Sequence, residues 1–248
     1  MNESVNLWSV AFFAITAVLL ALPFYPTWQE WRHPADARAL ALTNSLPPQA
    51  PPASPQVRLV QGVATPPEVR ASVRILACPG STFQKLSAPT VWLGQADTER
   101  AHPPGHALPR STWRPLPHAQ PWGDHGWRIQ GDCHIAPAQQ VQGPLVVMGS
   151  LSLGADCVVN GDIKAHGAVQ VGPRSRIGGA LFSEQAIALQ EDVQVSGPVV
   201  CEDHLALARG VVIGQPEQPS TVRAPHLVAS PGAVVHGTVW ALQSGRVA

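Results

Sequence analysis

The stretch CVVNGDIKAHGAVQVGPRSRIGGALFS, Cys157–Ser183, decides the fold. It carries too little charge for a surface loop and too much glycine for a helix. Val159 and Ile163 straddle Gly161, and eighteen residues later Ile177 and Leu181 straddle Gly179. Self-similarity at such a fixed spacing marks a repeat architecture, in which no unit can bury its apolar face alone.

Extended outward, the period of 18 lays out units beginning at Cys133, Leu151, Val169, Ile187 and Leu205, with one more at Leu227 after a longer gap. If three six-residue sides wrap a common core, side-chain alternation along each strand points places 1, 3, 7, 9, 13 and 15 of every unit inward. Across the four uninterrupted units these places are apolar except at Gln139, Ser175 and Ser183, all uncharged. Place 11 is Gly143, Gly161, Gly179 and Gly197, and Gly237 in the last unit. There the spacing predicts a corner whose backbone conformation side chains obstruct. The fifth unit is longer by four residues, so its QPEQPS should bulge outward, after which Val222 and Ala224 resume the wall. The fold class is therefore all-β, a parallel β-solenoid with 18-residue coils over 127–248.

The earlier chain divides by composition. Leu7–Tyr25 is uncharged and about long enough to cross a hydrocarbon core. Residues 1–26 therefore read as an uncleaved transmembrane helix, carried by Leu7, Trp8, Phe12, Phe13, Leu19, Leu20 and Tyr25. Trp8 at one end and Tyr25, Trp28 and Trp31 at the other suit the interfacial belts. Arg32 and Arg38 follow the span and no Lys or Arg precedes it, which places the remainder in the cytoplasm. Residues 27–56 are a Pro/Ala-rich tether, and 95–126 a Pro/His-rich insertion. Between them 57–94 is strand-like. Val73 and Ile75 lie eighteen residues before Val91 and Leu93, so this segment reads as a detached coil of the same kind.

Chemistry is sparse. Sixteen basic residues balance sixteen acidic ones, and only 13% of the chain is charged, so nothing provides the electrostatic footprint of a nucleic-acid partner. Cys78, Cys133, Cys157 and Cys201 lack zinc-site spacing and read as buried free thiols. A hexapeptide-type β-helix enzyme, an acyltransferase or zinc enzyme, is the rival class. It would need a base histidine at a cleft, or three histidines around zinc. His166, His204, His226 and His236 are the candidates. His204 and His226 both precede a new coil and should stack, but a third convergent ligand is missing. The HPPGH of His102–His106, with His118 and His125, is a weak metal-binding pattern. No catalytic residue, cofactor or metal is assigned. Asp156, Asp162, Glu184, Asp192 and Asp203 read as solubilising charge on corners.

The segments VVNGDIKAHGAVQVG (158–172), VQVSGPVVCEDHLALARGVVIG (193–214) and LVASPGAVVHGTV (227–239) resemble the bactofilins, bacterial polymer-forming cytoskeletal proteins. The likeness covers about 129–241. It implies a right-handed triangular β-helix, membrane association at the inner membrane, and subunits joined end to end without nucleotide. The chain departs from the family pattern in its strong N-terminal span, its long Pro-rich region, the insertion in the fifth unit and the extra coil. The last coil is expected to end near Ala241, with LQSGRVA either folding back as a plug or leaving the end open. In the open case Leu227, Val235, Val239 and Trp240 form an end face that a second copy extends, giving a homo-oligomer or filament. A monomeric membrane adaptor that keeps the fold without assembling is the remaining alternative.

Overall fold

Short apolar-alternating segments ending in Gly, Pro or Asp can only pair across coils. In the computed structural model, which describes residues 12, 56–59, 65–94, 116, 119–123 and 125–248, they do so as three parallel ladders. One side stacks β7 (Cys133–Ile135), β10 (Leu151–Leu153), β13 (Val169–Val171), β16 (Ile187–Leu189), β19 (His204–Leu207) and the end of β21 (Ser220–Ala229). The second stacks β8 (Gln140–Gln142), β11 (Val158–Asn160), β14 (Arg176–Ile177), β17 (Gln194–Val195), β20 (Val212–Ile213) and β22 (Ala233–Val247). The third stacks β6 (Gly126–Ile129), β9 (Leu145–Val147), β12 (Ile163–Ala165), β15 (Leu181–Ser183), β18 (Val199–Cys201) and the start of β21. Leu151 faces Val169 and Val159 faces Ile177, the expected spacing of 18.

The expected inward places are buried apart from Gln139, which is half-buried and turns its side-chain oxygen to the Ala136 N–H at 3.1 Å. The two inward serines are satisfied by corner backbone. Ser175 Oγ accepts from Cys157 N–H at 3.1 Å and donates to Gly154 O at 3.0 Å, and Ser183 Oγ donates to Gly167 O at 2.8 Å. In the fifth unit residues 215–219 bulge outward and are exposed. Val222 then resumes the wall opposite Val199, and Ala224 is buried.

Two local expectations are corrected. At place 11 Gly143 and Gly237 take the expected positive-φ backbone, at 84° and 128°, whereas Gly161, Gly179 and Gly197 serve close stacking instead. A Cβ on Gly179 would lie 2.6 Å from Gly161 C, and one on Gly197 2.7 Å from Gly179 C. A second left-handed corner lies at place 6, on Ala138, Asp156, Arg174 and Asp192, with φ between 57° and 59°, and on Gly210 and Gly232 in the last two units. Nor are the corner acids only solubilising. Asp162 Oδ1 accepts the Ala180 N–H one coil on at 2.7 Å, Asp132 does the same for Ser150 at 2.7 Å, and Asp156 holds Arg174 at 2.7 Å.

The largest difference concerns the N-terminal segment. It forms coils, as expected, through β1 (Gln56–Leu59), β2 (Glu68–Arg70), β3 (Arg74–Ala77) and β4 (Thr82–Leu93). They are not a detached piece, because β4 pairs with β22 within one compact unit. The coils stack at the far, C-terminal end of the solenoid, where β4 runs antiparallel to β22. The first keeps the offset of 18, Val57 facing Ile75, but the next is shorter, since β3 pairs with β4 as Ile75↔Val91 and leaves Val73 exposed. At the opposite end, β5 (Ala119–Trp122) folds antiparallel onto β6. Pro121 in that outer strand has no N–H to offer a further strand, a common way of blunting an edge.

Candidate assembly surface

The C-terminal coil is built by one long strand. β22 turns two corners, pairing Val235 with Ile213, Val239 with Val222, and Arg246 with Val228. The chain does not stop at Ala241, because Gly245–Val247 continue the ladder opposite Leu227–Ala229. Leu227 is thus one coil inside the end, held between Leu205 and Gly245. The residues expected on an open end face are therefore placed differently: Leu227 is interior, and Val235, Val239 and Trp240 lie beneath β4.

β4 covers this coil on all its sides. Val235 faces Val91, Val239 faces Leu86, Trp240 faces Lys85 and Arg246 faces Thr82, with irregularities between Val235 and Gly237 and between Trp240 and Gly245. The seam is apolar at its centre. Leu86, Val91, Leu93, Val239 and Val235 are all fully buried there. Trp240 lies at the rim, 40% exposed, with the Lys85 ammonium 5.5 Å and the Arg223 guanidinium 5.6 Å from its ring. Lys85 also reaches Glu68 at 2.9 Å, and Lys85 and then Arg70 hold that exposed carboxyl below its ordinary range.

His236 is the titratable group set into this seam. Its Nδ1 lies 3.3 Å from Thr90 Oγ1 of β4, and burial pushes the imidazole below its ordinary 6.5 against the opposing pull of the Pro89 backbone and the Glu217 carboxylate. A histidine whose folded pKa is depressed favours the neutral form. The unfolded chain then binds more protons as pH falls below the free-histidine range, and stability declines toward acid. Thermal melts of the full chain between about pH 7 and pH 5 should therefore show a loss of stability that His236→Gln lessens. Equal slopes for the two proteins would exclude the seam histidine as a source.

The other candidates do not converge. His204 and His226 stack on adjacent rungs, rings 4.7 Å apart, and His226 Nδ1 meets Ser244 Oγ at 2.8 Å. His166 pairs with Glu184 at 2.8 Å. Among the described residues no three His, Cys, Asp or Glu side chains group to hold a metal ion. His102, His106 and His118 lie outside the described residues. A shallow trough crosses the first side, lined by Asp132, His134, Ser150, Ser152, Gln170 and Ala188. Beneath it Cys133, Cys157 and Cys201 are buried in the core, and burial pushes the Cys133 thiol up to about 11 and raises the other two.

Of the proposed anchor, Phe12 is helical and exposed, while Leu7, Trp8, Phe13, Leu19, Leu20 and Tyr25 lie outside the described residues. Among the described residues no helix is long and apolar enough to cross a membrane. Compared with protein-family models, with curated proteins and with solved structures, the chain matches none of them.

Proposed function

We propose that this chain is a bactofilin-like structural scaffold: a non-enzymatic solenoid rod, anchored in the bacterial inner membrane by residues 1–26, with its body in the cytoplasm. Copies join end to end without nucleotide. One observation carries this reading, namely the unbroken parallel ladder from β6 to β22 around a single apolar core. Each coil is templated by the one before it, so the fold is extended by adding identical units, and an uncovered terminal coil is an unfinished surface. The apolar span, the Arg32 and Arg38 flank and the family resemblance support the membrane and cytoplasmic placement.

Electron microscopy and sedimentation of residues 127–248, which lack the N-terminal coils, test the reading. Rods that associate end to end without added nucleotide are expected, and a folded fragment that stays monomeric at high concentration would overturn it. The covering of β22 by β4 favours a second reading, a membrane adaptor that remains a single rod.

A further inference from the structure

Three features of the N-terminal coils belong together. First, β4 pairs with β22 over residues 233–235, 237–240 and 245–246, so the solenoid is closed by its own chain. Second, the closure is antiparallel whereas the solenoid's ladders from β6 to β22 are parallel. The chain thus holds two stretches of solenoid that meet at their last-wound coils. Third, strand pairing across the seam is made by β4 alone, with Gly80 and Ser81 adding backbone bonds to Val247: among the described residues β1 pairs only with β3, β2 only with β4, and β3 with β1 and β4.

The connection permits the cap to leave. Gly94 is at one end of the rod and Ala119 at the other, separated along the third ladder from β4 through β22 to β6 by seven coil steps, roughly 34 Å. Residues 95–118 joining them reach up to about 80 Å when extended. Departure of β4 would uncover the apolar end of the core at Val235 and Val239 and the unpaired backbone of β22. An exposed strand edge above an apolar core is a template for another chain.

We propose that the strands β1 to β4 are a displaceable cap that closes, within each chain, the end through which the solenoid joins a second copy, so that assembly waits on release of β4. This rests on the scaffold reading above, which it supplies with a gate.

Two kinds of full-chain variant test it. Ser87 faces Thr238 across the seam, Oγ to Oγ1 3.4 Å, so Ser87→Cys with Thr238→Cys in a Cys78→Ser background gives a disulfide that locks the cap when oxidised. Gly245→Ala pushes the cap off without adding charge, since its Cβ would lie 2.4 Å from the Phe83 ring and 2.8 Å from Phe83 O. Leu86→Asp, at a fully buried cap position facing Val239, is the second releasing variant.

Detergent-purified full chains are compared by sedimentation velocity, with limited proteolysis within 82–93 reporting release and circular dichroism reporting the intact solenoid. The wild type and the oxidised lock should sediment as single chains. Gly245→Ala and Leu86→Asp should shift to multiples, and adding the oxidised lock to Gly245→Ala should return it to single chains until reductant is added. An oxidised lock that associates as far as the released variants overturns the gate while leaving a scaffold that assembles elsewhere. Released but monomeric chains overturn the gate, and if the fragment 127–248 is also monomeric the scaffold reading falls with it.

Discussion

Ile177→Asp is expected to lower the melting temperature of the chain by roughly 10–15 °C, the scale of about 4 kcal/mol in a body of this size. Ile177 is buried to 1% exposure in the middle of the second ladder, with Val159 on one neighbouring coil and Val195 on the other. Aspartate there loses the apolar burial of isoleucine and places a carboxylate in a core whose buried polar side chains, among the described residues, are all serines, so it must be protonated or hydrated by opening the coil. Opening is not local. Arg176 N–H donates to Cys157 O and Gly178 N–H to Val159 O, each at 2.8 Å, so a displaced coil leaves its neighbours unpaired. His166→Ala is the matched control. It removes a partly exposed contact with Glu184, of a kind worth about 0–1 kcal/mol even between full charges. Thermal circular dichroism of both variants decides the matter, and equal melting would show that Ile177 does not face the core.

The solenoid was legible because its determinants are periodic. Alternation puts Val159, Ile177 and Val195 on one inward row, and the row can be read without knowing where the chain turns. The corners were read less well for a physical reason. At the left-handed place 6, Gly210, Gly232, Asp156 and Asp192 are residues that tolerate positive φ, but Ala138 and Arg174 fill the same place with a φ of 57°, so composition marks the corner only in part. The cap was half legible. Its strands announced themselves, but the seam joins residues some 150 positions apart, as in Ser87 opposite Thr238, and antiparallel docking of two stretches leaves no period. Even the shorter offset of 16 between Ile75 and Val91 hides within the β-pattern, because a shift of two residues keeps every side chain on its face. What the seam did write into the sequence is Gly245, a glycine outside the place-11 series that makes room for Phe83.

The adjacent glycines Gly178 and Gly179 should respond oppositely to the same substitution, and this is the sharpest test of coil stacking. A Cβ on Gly178 would meet nothing closer than Val159 O at 3.5 Å, an ordinary contact, so Gly178→Ala should leave the melting temperature within a few degrees of wild type. A Cβ on Gly179 would lie 2.6 Å from Gly161 C and 2.7 Å from Asp162 N, both backbone atoms, and 2.2 Å from Asp162 Oδ1. The backbone cannot give way cheaply, because the coil spacing of about 4.8 Å is fixed by the ladders on either side. The carboxylate cannot leave freely either, since Asp162 Oδ1 holds the Ala180 N–H at 2.7 Å. Overpacking of this kind costs about 1–3 kcal/mol, and loss of a hydrogen bond to a charged group about 1.5–3 kcal/mol. Gly179→Ala should therefore destabilise by about 3–5 kcal/mol, near the effect of Ile177→Asp, although it adds one methyl group and no charge. Urea unfolding of the two alanine variants measures the difference. If Gly179→Ala unfolds with Gly178→Ala at the wild-type midpoint, the glycines of successive coils are not stacked on one another and the corner geometry is wrong.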